Sequence, residues 1–327
     1  MKSILGLGNA LVDILATIPN DSLLKKYNLP RGSMQHVDEQ TGNNVLNDLM
    51  EIGCERVTGG SAANTLNGTA CLGLKSAFIG KIGNDELGNF FKTDQQSNGI
   101  TPLLSTGKSS TGRAMVLINS DAERTFAVYL GAAIEMNDSD LNEALFDGYH
   151  FFHIEGYMVQ NHELVRKAVQ IAKAKGMFIS LDMASYNVVE QNHDFLTEIL
   201  NGYVDIVFAN EDEARVFTGK EPEEAVREFA KICLIAIVKT GETGSLVQSS
   251  DEFYHISPIK ATAIDATGAG DLYASGFLYG LAHGLSLDKC GAIGSLCAGN
   301  VVEVIGPKMD AERWNTIHTE IKKITSV

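Results

Sequence analysis

Short apolar runs that stop at glycine, asparagine, aspartate or another polar residue recur along the chain at residues 4–8, 151–155, 177–182, 205–210 and 234–239, with helical patterns between them. Between the second and third runs, Val165, Ala168, Val169 and Ala172 form one helical stripe and Gly176 follows as a stop. A buried strand followed by an amphipathic helix, repeated, is the signature of βαβ units wound into a parallel sheet. The expected fold class is therefore α/β: a Rossmann-like doubly wound sheet, built as a single domain over residues 1–327. Such sheets take ligands beyond the carboxyl ends of their strands, so polar residues at those ends are the ones to search.

Two stretches break the rhythm. Residues 17–39 carry Pro19 and Pro30, and in residues 112–130 Ala114, Val116, Ile118 and then Phe126, Val128, Leu130 alternate with their neighbours. Alternation at period two makes strands with one covered face, and the expectation is a small β-sheet lid over the carboxyl edge of the main sheet. No linker-like or repetitive stretch separates these segments from the rest.

With 26 basic against 41 acidic residues, the net charge of −15 repels phosphate backbones and anionic lipid surfaces. Nucleic acid and membrane are not expected partners. A small anion remains compatible with that field, because backbone amides, a few cations and a metal act at short range. The apolar stretch of residues 1–15 is interrupted by Gly6, Gly8, Asn9 and Asp13, unlike a leader peptide, and the five scattered cysteines include no Cys-x-x-Cys pair. A reducing cytoplasm is the expected location, and the oligomeric state, monomer or homodimer, is not written in the sequence.

The strongest motif is Asp265-Ala266-Thr267-Gly268-Ala269-Gly270-Asp271, a glycine-rich turn that opens a helix. The free amides of Gly268, Ala269, Gly270 and Asp271 are expected to converge on one spot that the helix dipole also makes attractive to an anion. Transfer of a phosphoryl group needs its growing charge neutralised and a carboxylate to take the attacking hydroxyl's proton, and Asp271 is placed for that role. The ordinary alternative is a tight turn with an acidic first-turn residue.

Thr58-Gly59-Gly60-Ser61-Ala62-Ala63-Asn64 is a second helix start; Gly59 and Gly60 admit a ligand close to the backbone, and Asn64 offers donor and acceptor to a sugar diol. Just beyond the first run, Asn9 and Asp13 are similarly placed, Asp13 to accept from two hydroxyls. Gly6-x-Gly8 falls short of a dinucleotide fingerprint because Leu11 stands where its third glycine belongs. Asn210 and Glu213 follow a strand and suit water-bridged Mg²⁺ near phosphates. Lys239-Thr240-Gly241-Glu242-Thr243-Gly244 follows another, with Gly241 and Gly244 giving room for a nucleotide, and Asn300 lies in a stretch that would border an adenine or a cation. Gly107-Lys108-Ser109 lacks the first glycine of a P-loop, and His150 and His153 lack a third zinc ligand.

Taken in order, Gly8-Asn9 with Asp13, the Gly59–Asn64 helix start, Gly80-Lys81-Ile82-Gly83-Asn84-Asp85-Glu86-Leu87-Gly88 and the Asp265–Asp271 string resemble the ribokinase (PfkB) family over nearly the whole chain. The resemblance implies a ribokinase-like fold with a β lid, ATP as donor, Mg²⁺, Asp271 as base, and a monovalent cation such as K⁺ near Asp265 and Thr267. It also implies that Asn9, Asp13, Gly59, Gly60 and Asn64 contact the acceptor, while Asn210, Glu213, Lys239, Thr240, Gly241, Gly244 and Asn300 serve the nucleotide. Lys26-Tyr27-Asn28-Leu29-Pro30 leading to a lid strand with Met34, and Glu123-Arg124-Thr125, look like adenosine kinases, which adds Met34, Arg124 and Tyr157 to the acceptor side. In Gly156-Tyr157-Met158 only Tyr157 can stack on a base, so ribose, fructose and other sugars stay open as acceptors; Ala266 stands where many members have threonine. The rivals from other classes are a non-catalytic nucleotide sensor and a nicotinamide oxidoreductase.

Overall fold

The computed structural model describes residues 2–119, 121 and 123–326. Fourteen strands run in chain order: β1 (Ser3–Leu7), β2 (Leu11–Thr17), β3 (Met34–His36), β4 (Glu55–Gly59), β5 (Lys75–Ile82), β6 (Ile100–Thr106), β7 (Gly112–Ile118), β8 (Arg124–Tyr129), β9 (Phe151–Glu155), β10 (Phe178–Asp182), β11 (Ile206–Asn210), β12 (Ile235–Lys239), β13 (Ser245–Ser249) and β14 (Glu252–Ile256). Nine of them form one sheet in the order β14-β13-β12-β11-β10-β9-β1-β5-β6. Its pairs are parallel from β12 to β6, and β13 and β14 add an antiparallel edge.

Both faces of this sheet are covered, which is why its central strands read as continuous apolar runs instead of alternating. All five residues of β1 and of β9 are buried. On one side Leu164, Val165, Ala168, Val169 and Ala172 of the helix His162–Ala174 pack into a core with Phe152, Ile154 and Ile179. Burial of each large apolar side chain in that core contributes roughly 1.5–3 kcal/mol.

The remaining strands form a second sheet, β3-β8-β7-β2-β4. Of the stretch 17–39, β3 enters it; of 112–130, β7 and β8, with residues 120 and 122 outside the described residues. The sheet is larger than those stretches, because β2 and β4 complete it. The period-two pattern of β2, with Val12, Ile14 and Ala16 buried, is masked in sequence by Leu11 and Leu15 on the opposite face. Val45 and Leu49 of the helix Glu39–Ile52 share a core with Val12, Ile14, Met115, Leu117 and Ala127, so one face of the small sheet is sealed. The opposite face, with Asp13, Ala114, Phe126 and Val128, looks toward the carboxyl ends of the large sheet.

Among the places where the chain crosses between the sheets, two short corners frame the site. One joins β1 to β2 through Gly8 and Asn9, and the other leaves β4 through Gly60 into the helix Ser61–Cys71. Both corners lie beside the carboxyl end of β1, where β9 and β5 flank it on opposite sides and the winding reverses, the place at which α/β sheets build ligand sites.

Candidate active site

Two helix starts meet at Asp271. The helix Ala269–Ala282 begins after Gly268, whose φ of 78° is left-handed and whose missing Cβ would stand 2.7 Å from the Pro307 Cβ. The helix Ser61–Cys71 begins after Gly60, with φ of 94°, where any Cβ would collide with the Asn9 carbonyl. The two helices approach closely because Gly68 leaves room for Ser275, whose Oγ lies 2.8 Å from both the Thr65 and the Asp271 carbonyl and shares its one hydrogen between them. The result is a carboxylate held at both oxygens: Ser61 Oγ donates to Asp271 Oδ1 at 2.7 Å, and Asn64 Nδ2 to Oδ2 at 2.9 Å.

Burial pushes the Asp271 carboxyl up to about 6, against the pull of those two donors, with Asp182 raising it and Lys239 lowering it. Helix geometry leaves the Gly270 and Asp271 amides without intrahelical acceptors. The Ala269 amide, expected in the same cradle, instead donates 3.1 Å to the Ala266 carbonyl. That tight turn sets the cradle but removes one donor from it.

In front of this point lies a cavity of about 610 Å³ whose walls include Asn9, Asp13, Gly60, Ser61, Glu155 and Thr267 at its polar end. Asp13, Ala114, Val128 and His36 stand in register across β2, β7, β8 and β3, and away from Asp13 the side chains of Ala114, Val128, Phe126, Met34, Tyr157 and Met158 make the other end largely apolar. Burial and the neighbouring Asp271 push Asp13 up to about 7, with Lys308 and Arg124 pulling it back. Gly59 borders Asp13 directly: a Cβ there would overlap its carboxylate, so Gly59 makes space for a side chain without itself lining the cavity.

Glu155, at the end of β9, was not singled out among the expected site residues. Its Oε1 accepts from the Asn9 amide at 2.9 Å and from Asn9 Nδ2 at 2.6 Å, and its Oε2 accepts from the Ala62 amide at 2.9 Å. It therefore clamps both sheet-to-sheet corners at once. Burial raises its carboxyl to about 7, with those N–H donors opposing. The signal that would have found it is an acidic residue ending an otherwise apolar strand.

Several expected residues take different partners. Asn64 is bound to Asp271 instead of facing the cavity, and Asn9 presents its amide nitrogen to Glu155. Arg124 Nη2 pairs with Asp265 Oδ2 at 2.7 Å, and its Nη1 lies 3.3 Å from Thr267 Oγ1. The remaining Asp265 bonds come from the Thr267 amide at 3.0 Å and the Gly306 amide at 2.6 Å. The side chains expected to hold a monovalent cation thus hold a guanidinium, and this donor set does not fit K⁺. Asn300 donates to the Leu296 carbonyl of its own helix, and its own carbonyl accepts from Arg313.

On the nucleotide side, Asn210 and Glu213 form a reciprocal cap: Glu213 Oε2 accepts from the Asn210 amide at 2.8 Å and Oε1 from Asn210 Nδ2 at 2.7 Å. Burial and the Asp182 charge raise the Glu213 carboxyl. Each of its oxygens keeps a lone pair for a water molecule, which fits Mg²⁺ held through water and phosphate rather than by protein ligands alone. Among the described residues no cluster of three or more His, Cys, Asp or Glu forms a metal site. Lys239 Nζ sits 2.7 Å from Asp182 Oδ2. Thr240 Oγ1 is buried with no hydrogen-bond partner, an orphan that a ligand would satisfy. Gly241 and Gly244 have φ of 57° and 105°, and a Cβ on Gly244 would strike the Ile256 carbonyl. In the Gly80–Gly88 motif, Asp85 caps its helix through the Gly88 amide and accepts from the Thr111 amide at 2.7 Å.

Comparison with known proteins places the chain in a family. Residues 37–313 match the family model described as pfkB family carbohydrate kinase. The crystal structure of a probable sugar kinase from Rhizobium etli superposes with a TM-score of 0.87 at 31% identity, covering 98% of both chains. That of an adenosine kinase from Sinorhizobium meliloti gives 0.87 at 31% identity over 98% of this chain and 99% of that one. A 5-dehydro-2-deoxygluconokinase of Bacillus licheniformis is 31% identical over 76% of this chain and 81% of its own length. Among the described residues no helix is long and apolar enough to cross a membrane.

Proposed function

The chain belongs to the pfkB family of carbohydrate kinases and is an ATP-dependent kinase of sugars or nucleosides, and from that premise we propose that its acceptor is a nucleoside, adenosine, phosphorylated on its primary hydroxyl to AMP. The observation that carries this reading is the division of the cavity: a polar end with Asp13 and Ser61 beside Asp271, and an apolar end lined by Phe126, Val128, Met34 and Tyr157. A ribose with its diol at Asp13 and its primary hydroxyl at Asp271 would put an attached base against those apolar side chains. A free sugar has nothing to bury there.

Asp271 accepts the proton of the attacking hydroxyl; Ser61 and Asn64 keep its carboxylate aimed and ionised. The Gly270 and Asp271 amides, with Gly268 setting the turn, neutralise the negative charge that moves with the phosphoryl group. When bound, ATP with Mg²⁺ supplies that group, whose bond to the bridging oxygen of ADP breaks as the bond to the acceptor oxygen forms. Glu213 and Asn210 would hold Mg²⁺ through water, where it would neutralise phosphate charge, and Thr240, Gly241 and Gly244 would border the nucleotide. Arg124 ties the small sheet to the Asp265 turn, so the sheet acts as a lid over the acceptor and keeps water from the phosphoryl group.

The test is steady-state turnover of adenosine, other nucleosides, ribose and fructose with ATP and Mg²⁺. Adenosine is expected to exceed each sugar in kcat/KM by about 100-fold or more. The likeness to a 5-dehydro-2-deoxygluconokinase favours a sugar acceptor as the second reading, and a sugar that outperforms every nucleoside establishes it instead.

A further inference from the structure

Around the Gly268–Asp271 turn the protein gathers a buried ammonium and free backbone amides. Lys239 ends β12 with its side chain 16% exposed, and its ammonium bonds Asp182 Oδ2 at 2.7 Å. The same Nζ lies 3.0 Å from where a Cβ on Gly270 would stand, so the ammonium sits against the backbone of the anion turn. The first-turn amides add to it, and the hydroxyl of the next residue in the chain, Thr240, is buried without a partner. An ammonium carries three donors and Asp182 engages one.

The Asp182 side is held under strain. Its Oδ1 accepts from the Ala184 amide at 3.0 Å, and Ala184 adopts φ of 66°, a left-handed conformation that an alanine rarely takes. Gly156 packs against this corner, 3.0 Å from the Ala184 Cβ if it bore a Cβ of its own. A surface ion pair needs no such arrangement. The corner fixes where Asp182 points, and Asp182 fixes where Lys239 waits.

We propose that Lys239 is a catalytic residue which leaves Asp182 for the migrating phosphoryl group, and that Asp182 is the positioning residue that holds it ready. This rests on the kinase reading of the site, not on the identity of the acceptor. Lys239 gives up no proton; it carries a fixed positive charge to the group in transit, while Asp271 takes the hydroxyl proton.

A double-mutant cycle separates this role from a buried structural pair. Lys239→Met alone strands the Asp182 charge, so its effect mixes both roles. The decisive comparison is Asp182→Asn against Asp182→Asn with Lys239→Met. If Lys239 touches the phosphoryl group, adding Lys239→Met lowers kcat by about a further 100-fold, and Lys239→Arg restores part of it. Calorimetry without acceptor is the second readout: the β,γ-imido analogue of ATP binds about tenfold more weakly when Lys239 is lost, ADP by less than about threefold. Equal kcat in the two Asp182→Asn variants, or equal weakening of the analogue and ADP, overturns the proposal. Lys239→Arg, which keeps the charge, supplies the comparison if the methionine variants do not fold. Because the calorimetry contains no acceptor, a failed nucleoside assignment leaves this result readable.

Discussion

At Asp271, burial favours the proton while Ser61 and Asn64 favour the charge, and the balance near 6 leaves a base that is ionised at neutral pH yet basic enough to accept a hydroxyl proton. The acid limb of kcat/KM is therefore expected near pH 6, because protonation removes the base, and a pH–rate profile checks it. Asp271→Asn is expected to lower turnover by about two orders of magnitude or more while ADP binding, followed by calorimetry, stays within a few-fold. Asp13 carries the opposite lesson for stability. An ordinary aspartate ionises near 3.8 and Asp13 near 7, so between those values the folded protein binds more protons than the unfolded chain and its stability falls as pH rises. Asp13→Asn is expected to raise the melting temperature by a few degrees at pH 8, to change it little at pH 5 where Asp13 is already neutral, and to weaken adenosine binding. Melting curves at the two pH values decide the sign.

The helices Ser61–Cys71 and Ala269–Ala282 act as one device. Their contact places Ser61 and Asn64 on Asp271, and it depends on Gly68 offering no side chain to Ser275. Gly68→Ala would force a methyl into the Ser275 hydroxyl and push the helices apart, at a cost of about 1–3 kcal/mol. Denaturant unfolding should show that loss. Turnover should fall with it at temperatures where the variant remains folded, because the carboxylate loses its donors. A glycine deep in a helix is ordinarily unfavourable by about 1 kcal/mol, and here close packing explains its presence.

Across the whole molecule, the small sheet faces the site and Arg124 ties it to the turn before the catalytic helix, where its partner Asp265 lies. Arg124→Met removes the link and leaves the buried Asp265 charge without its ion-pair partner. The expected outcome is a loss of about tenfold or more in kcat/KM for the acceptor, together with faster hydrogen exchange in β8 and unchanged protection in β1 and β9. Uniform loss of protection would mean general unfolding and not an opened lid.

The βαβ winding and the 265–271 string are readable in the linear chain because both rest on local chemistry. A strand covered on both faces must be apolar throughout, and a turn whose glycines face a close neighbour announces itself by composition. The sealed face of the small sheet and the partners of Asn64, Arg124 and Glu155 are not local. Asn64 and Asp271 lie 207 residues apart, and Asn9 and Glu155 lie 146 apart. A polar side chain can bond whatever the fold delivers to it, so its residue type names what it can do while packing chooses with whom.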